Sequence, residues 1–182
     1  SLDRHVAIKV ARAESQARQL RSEARALAAL RHPSLVTVYA LGMDGGRDFL
    51  VMERIYGINR TEHLQRRQEL GQTLGLVETV EMLVSISDGL SIVHRAGLAH
   101  RDVKLENMML TPDGRVVIMD FGLVVPEFHF GGTNTIAGSP PYMAPETLSR
   151  SGESGNGHLV DVYALGVSAF ELLTGHKPVI AR

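Results

Sequence analysis

The sequence contains no cysteine, and its positive and negative charges nearly cancel. Without cysteine the chain has no disulfide, no thiolate zinc site and no cysteine nucleophile. With 19 basic and 20 acidic residues the formal net charge is −1, which gives no support for a nucleic-acid-binding protein or a polybasic membrane surface. No apolar run reaches the ~20 residues of a membrane span, and the first residues do not resemble the apolar core of a signal peptide. The eight histidines show no metal-ligand spacing such as HExxH.

Lysine is also scarce, because 16 of the 19 basic residues are arginine. The three lysines are Lys9, Lys104 and Lys177, so a lysine that falls within a motif is unlikely to be there by scatter. An apolar fraction of 44% supports a hydrophobic core, and 182 residues correspond to about one domain.

Hydrophobic periodicity in the first fifty residues predicts the order strand, helix, strand, strand. The turn between the last two strands contains Asp44-Gly45-Gly46, a strong hairpin signal. The predicted elements are a strand at His5–Val10, a helix from Ala13 to Leu30, and strands at Leu35–Leu41 and Asp48–Glu53.

After Gly57 the pattern becomes mainly helical. A Thr-Pro-Asp-Gly turn at Thr111–Gly114 separates two short strands. The predicted elements are a polar stretch at Arg60–Leu70, a helix at Leu76–Ala96, strands at Met108–Leu110 and Val116–Met119, a loop at Val124–Ser139 and a last apolar helix at Leu159–Leu173.

Three short motifs occur in a fixed order in the second half of the chain. The first runs from His100 to Asn107 (HRDVKLEN), the second is Asp120-Phe121-Gly122, and the third is Ala144-Pro145-Glu146. With these motifs the sequence resembles the eukaryotic-type Ser/Thr protein kinases, most closely their bacterial members, from Val6 to about Pro178. The resemblance implies an α+β, two-lobed protein-kinase-like fold, with residues 1–53 in the small lobe and 54–182 in the large lobe.

The same resemblance implies an ATP-dependent phosphotransferase and gives roles to four residues of the first two motifs. Asp102 matches the base that accepts the proton of the substrate hydroxyl, and Lys104 matches a lysine that reaches the transferring phosphate. Asn107 and Asp120 match the two Mg²⁺ ligands. Taken one at a time, these side chains could equally be a surface aspartate, a loop lysine and a turn asparagine.

Lys9 in the strand Val-Ala-Ile-Lys matches the lysine that contacts the α- and β-phosphates of ATP. Its implied partner is Glu23 on the following helix, which lies beside the inward face and has no basic residue three or four positions away. On the outer side of the same helix, Arg18, Arg21 and Arg25 are interpreted as a solvated face.

The resemblance also implies an adenine site. Met52 matches the residue at the back of this site, and the Glu53 carbonyl and the Ile55 N–H match the backbone groups that meet the base. Ala7 and Met109 match the apolar residues that contact the two faces of the adenine ring. By spacing alone these five positions could be ordinary core residues.

Regulation and support of the site are implied at several further positions. Arg101 matches the arginine that meets a phosphorylated residue, and Thr133 and Thr135 are the candidate sites, through autophosphorylation in trans by a second copy. These threonines could also be loop residues without a role. Ser139 is expected to hydrogen-bond to Asp102 and Lys104, and Asp161 to hold the backbone of the catalytic loop.

The sequence departs from the family in having no Gly-rich loop before Lys9 and in ending just after the helix that carries Asp161. This pattern predicts a kinase domain that is partial at both ends and is inactive as an isolated fragment. A scaffolding pseudokinase and a small-molecule kinase of related fold remain alternatives. The expected partners are ATP, Mg²⁺ and a protein with Ser or Thr, in the cytoplasm, with any membrane anchor outside this chain.

Overall fold

A three-stranded antiparallel sheet covered by one helix forms the N-terminal part of the protein. A computed structural model describes residues 4–121, 125–126, 139–148 and 156–178. The sheet has the strand order β1-β3-β2, and helix α1 packs its buried residues Ala17, Leu20, Ala24 and Leu27 towards it. The elements are β1 (Val6–Val10), α1 (Glu14–Ala28), β2 (Val38–Asp44) and β3 (Arg47–Glu53).

The hairpin between β2 and β3 is tighter than the sequence pattern predicts. Its turn consists of Gly45 and Gly46, whose φ angles are +53° and +75°, a conformation that glycine adopts without strain. β2 also begins later than predicted, because Leu35 and Val36 pair with Ile118 of a different sheet. The connection before β2 is thus fastened to the C-terminal part of the protein.

The C-terminal part is mainly helical, with two small sheets. Strand β6 lies between β4 and β7 in one sheet, and β5 pairs with β8 in the other. Helices α3 and α5 pack together over the core. The elements are β4 (Ile58–Asn59), α2 (Arg60–Glu69), α3 (Leu76–Arg95), β5 (Leu98–Ala99), β6 (Met108–Leu110), β7 (Val116–Ile118), β8 (Val125–Pro126), α4 (Pro145–Leu148) and α5 (Gly157–Thr174).

Two parts of the C-terminal region differ from the sequence-based expectation. The polar stretch from Arg60 is helix α2, capped by the Asn59 side chain and anchored by the buried Leu64. In the stretch predicted to be a loop, Val125–Pro126 is the strand β8, and the remainder lies outside the described residues except for Ser139. The mixture of helices and antiparallel strands confirms the predicted α+β class.

Helix α5 is apolar on most of its circumference, with Val160, Leu165 and Leu172 buried and Val162 and Phe170 exposed. Among the described residues, no helix combines the length and the apolar character needed to cross a bilayer.

Candidate active site

A cleft of about 450 Å³ contains charged side chains from both parts of the protein. Its walls include Lys9 and Glu23 from the N-terminal part, and Asp102 and Asp120 from the C-terminal part. The three acidic groups and the one ammonium group come from four separate stretches of the chain.

Lys9 is bound by two carboxylates. Its Nζ lies 2.8 Å from Glu23 Oε2 and 2.5 Å from Asp120 Oδ1. Burial alone lowers the pKa of Lys9, but the two carboxylates outweigh burial and raise this pKa above its ordinary value. The ammonium group therefore stays charged, as a contact to phosphate oxygens requires.

Glu23 is 1% exposed, so the carboxylate that holds Lys9 is itself in the core. Its second oxygen, Oε1, accepts a hydrogen bond from the backbone N–H of Phe121 at 3.1 Å. A buried carboxylate is stable only when it is paired and hydrogen-bonded. Glu23 thus links α1, β1 and the Asp120-Phe121 segment.

The carboxylate of Asp102 is held at both oxygens. Ser139 Oγ donates to Oδ1 at 3.0 Å, and Asn107 Nδ2 donates to Oδ2 at 3.0 Å. Lys104 Nζ lies 2.7 Å from Asp102 Oδ2 and donates to Ser139 Oγ at 2.7 Å. The predicted hydrogen bonds of Ser139 to Asp102 and Lys104 are therefore present, and the Asp102 side chain remains 14% exposed to the cleft.

The backbone before Asp102 is strained and is held by a buried aspartate. Arg101 has φ = +64°, a conformation that is uncommon outside glycine. Asp161, which is fully buried, accepts hydrogen bonds from the backbone N–H groups of His100 at 2.9 Å and Arg101 at 2.7 Å. This confirms the predicted support by Asp161, to which the structure adds His94, with Nε2 2.8 Å from Oδ2.

His100 and Phe121 connect the loop that carries Asp102 to the Asp120 segment. Their rings are 4.5 Å apart in an edge-to-face arrangement, and both side chains are fully buried. His100 Nδ1 accepts from the Asp102 N–H at 3.2 Å and Nε2 faces the Met119 carbonyl at 3.2 Å, which assigns the ring proton to Nε2.

The residues expected at an adenine site lie around the end of β3. Ala7 of β1 is directly opposite Met52 in the sheet register, and Met52 is buried. The Glu53 N–H is occupied by the Thr37 carbonyl at 2.8 Å. Ile55 follows β3, and Met109 lies on β6, each of them half-buried.

Asn107 and Asp120 could hold a Mg²⁺ ion. Both offer the hard oxygen donors that Mg²⁺ prefers, and in such sites one or two protein ligands are usually completed by phosphate oxygens and water. The Asn107 amide nitrogen faces Asp102, which leaves its carbonyl oxygen as the potential ligand. The Asp120 side chain is 50% exposed and lines the cleft, so its carboxylate is accessible and the donor chemistry of the two residues fits a metal ion.

Several charged contacts near the site have no signal in the sequence pattern. Arg21, interpreted from the sequence as part of a solvated face, has a side chain that is 43% exposed, and it also forms an ion pair with the buried Asp48 that the sequence pattern does not indicate. Arg115 Nη2 lies 2.6 Å from Glu53 Oε1 and so braces the end of β3. These contacts join residues far apart in the chain, so neither helical nor strand periodicity reports them. Thr133 and Thr135 lie outside the described residues.

Comparison with known proteins adds an independent observation. The family described as "Protein kinase domain" matches residues 1–182. The chain is 42% identical over 184 residues to serine/threonine-protein kinase PknL of Mycobacterium tuberculosis, covering 97% of this chain and 44% of that protein. It is 35% identical over 190 residues to PknA of the same species, covering 97% and 42%, and 32% identical over 183 residues to probable PknB of Lactococcus lactis, covering 97% and 28%. The chain thus spans less than half the length of each of these relatives.

Proposed function

The chain belongs to the protein kinase family, and from this premise we propose that the natural protein containing it transfers the γ-phosphoryl group of ATP to a Ser or Thr hydroxyl of a protein substrate. The observation that carries this proposal is the single cleft in which Lys9, Asp102 and Asp120 converge. Phosphoryl transfer needs an oriented acceptor and compensation of charge on the phosphate oxygens, and these groups supply both.

In this proposal Asp102 is the general base. It accepts the proton of the substrate hydroxyl as the oxygen attacks the γ-phosphorus, and the bond from this phosphorus to the bridging oxygen breaks, so that ADP leaves. Its two oxygens are oriented by Ser139 and Asn107, so the carboxylate does not have to be reoriented during the reaction. Lys104, which bridges Asp102 and Ser139, is positioned to contact the transferring phosphoryl group.

Lys9 binds the α- and β-phosphates, and Glu23 holds Lys9 in place. Asn107 and Asp120 hold Mg²⁺. When bound, the metal ion neutralises charge on the phosphate oxygens. The adenine base would lie between Ala7 and Met109, beside Met52, and its polar edge would meet the Glu53 carbonyl and the Ile55 N–H.

A protein acceptor is favoured over a small molecule by Lys104 and by the Ser139 to Glu146 segment beside the base. We assign residues 1–53 to the nucleotide-binding small lobe and 54–182 to the large lobe. Use of ATP favours the cytoplasm as the compartment of this domain.

Autophosphorylation in trans, at Thr133 or Thr135, is the regulatory part of the proposal. Arg101 lies next to the base, and burial lowers the pKa of its guanidinium group while Asp161 opposes this change. A phosphate group is the ligand that such a half-buried arginine binds most strongly. Mass spectrometry of the active protein identifies the site, and an active protein without phosphate on this loop contradicts the proposal.

The proposed activity is tested with the natural gene product that contains this chain, supplied with γ-labelled ATP and Mg²⁺. The acceptors are a mixture of Ser- and Thr-containing peptides and a separate mixture of small alcohols and amines, and Asp102→Asn is the control. We expect label on peptide Ser or Thr with the wild-type protein only. Label on small acceptors indicates a small-molecule kinase, and nucleotide binding without transfer indicates a scaffolding pseudokinase.

A further inference from the structure

Asp48 is a carboxylate buried beneath helix α1. It lies on β3, and its side chain is 7% exposed. Its Oδ2 is 2.5 Å from Arg21 Nε of α1. The contact is an ion pair between the guanidinium group and the buried carboxylate. Its backbone carbonyl accepts from the Ala11 N–H at 2.9 Å, just before α1 begins.

Arg21 and Glu23 flank the apolar stripe of α1 on opposite sides. The stripe consists of Ala17, Leu20, Ala24 and Leu27. At about 100° per residue, the directions of Glu23 and Arg21 lie roughly 80° from the middle of this stripe, one on each side. One charged residue on each edge of the stripe is therefore paired with a residue of the sheet, Glu23 with Lys9 and Arg21 with Asp48.

Two ion pairs on opposite edges resist rotation of a helix in both directions. Rotation of α1 that moves Glu23 away from Lys9 also changes the distance between Arg21 and Asp48. The apolar stripe alone gives weaker control, because alanine and leucine contacts have no preferred direction. A buried carboxylate does have a preferred position, because it requires a counter-ion at one particular place.

We propose that Arg21 and Asp48 are positioning residues that set the rotation of α1 and thereby hold Glu23 against Lys9. This inference rests on the proposed roles of Lys9 and Glu23 in nucleotide binding. Neither Arg21 nor Asp48 contacts the reacting groups, and their effect passes through Glu23.

The first test measures the exposure of Lys9 without any need for phosphoryl transfer. The natural protein is treated with a limiting amount of an acetylating reagent, and mass spectrometry compares labelling of Lys9 with that of Lys177 in the same sample. Arg21→Met should raise this ratio roughly fivefold, because Glu23 no longer shields the ammonium group. Arg21→Lys, which keeps a cation, and Arg18→Met, at an exposed arginine of the same helix, should resemble the wild type.

A double variant separates positioning from general stability. Arg21→Met leaves the buried Asp48 carboxylate without its counter-ion and should lower the melting temperature. The double variant Arg21→Met with Asp48→Met removes both charges and should restore the melting temperature. If the pair positions α1, the double variant keeps the raised Lys9 labelling and a raised KM for ATP, with the KM for the peptide acceptor unchanged.

A double variant that melts cooperatively and shows wild-type labelling of Lys9 overturns the inference. Wild-type labelling in a folded Arg21→Met protein overturns it as well. The labelling ratios could shift as expected although neither the wild type nor any variant transfers phosphate. In that case the proposed function fails and the positioning role stands.

Discussion

Lys9 and Asp120 are in direct contact, with Nζ 2.5 Å from Oδ1, although 111 positions separate them in the chain. Lys9 is expected to bind ATP phosphates, and Asp120 is expected to bind the metal ion on those phosphates. In the structure the two opposite charges satisfy each other. Because both groups are expected to act on nucleotide binding, substitutions of Lys9 or Asp120 should change the affinity for Mg-ATP, whereas substitution of Asp102, the proposed base, should change the rate of transfer.

Asp102→Asn should reduce kcat by several orders of magnitude with little change in the dissociation constant of Mg-ATP. The base acts on the transition state and does not contact the nucleotide in the ground state. Asp120→Asn should instead weaken Mg-ATP binding, because a charged metal ligand is lost. Steady-state kinetics and calorimetry on the natural protein measure both quantities, and equal loss of nucleotide affinity in the two variants would contradict these roles.

Ser139→Ala should reduce kcat about tenfold and leave the KM for ATP near the wild-type value. The hydroxyl donates to Asp102 and accepts from Lys104, so its loss releases both groups from their common orientation. Ser139→Thr keeps the hydroxyl and is the matched control. An alanine variant with full kcat shows that the Lys104–Asp102 ion pair alone is sufficient to orient the base.

Asp161→Asn should destabilise the protein by roughly 2–4 kcal/mol and also lower kcat. An amide offers one acceptor oxygen where the carboxylate serves the N–H groups of His100 and Arg101 with two. The strained backbone at Arg101 is then less well held, which displaces the neighbouring base.

The control for Asp161→Asn is Asp88→Asn, at an exposed position of α3, which should change the free energy of unfolding by less than about 0.5 kcal/mol. Thermal and urea unfolding measure both variants. A stable Asp161→Asn protein with normal kcat refutes the supporting role.

Arg60→Met should leave the protein equally stable or stabilise it by about 1–3 kcal/mol. Arg60 is 1% exposed, and within the part of the chain that the structure describes its Nε and Nη2 have no hydrogen-bond partner. Burial lowers the pKa of this guanidinium group, and the nearby Glu78, 3.3 Å from Nη1, opposes the change only in part. Glu78 is half-exposed and retains its ion pair with Arg67 at 3.6 Å, so the substitution does not leave this carboxylate without a counter-ion.

The matched control for Arg60→Met is Arg66→Met on the same helix. Arg66 forms an exposed pair with Glu62, and such pairs contribute less than about 1 kcal/mol. Chemical denaturation compares the two variants. A strong loss of stability in Arg60→Met alone shows that Arg60 has further favourable contacts in the native state.

The sequence alone was sufficient for the elements with strong local patterns, and it also carries the proposal for the catalytic groups. α1, α3 and α5 follow from their apolar periodicity, and the predicted strand bounds at Met108–Leu110 agree with the structure. Asp102, Lys104 and Asn107 could be proposed as site residues because they lie within one stretch of eight residues whose spacing matches a known motif. Spacing over so few residues can be recognised in the sequence without knowledge of the tertiary structure.

The tertiary structure alone decided which charged residues are buried and with which partner. From the sequence, Arg21 is interpreted as a solvated arginine and Arg60 as part of a polar stretch. In the structure Arg21 pairs with a buried carboxylate, and Arg60 lies in the core. A charge can leave water only when a compensating group from elsewhere in the chain meets it, as Arg21 meets the buried Asp48. Periodicity reports which side of an element is apolar, but the identity of the element packed against that side depends on the fold of the whole chain.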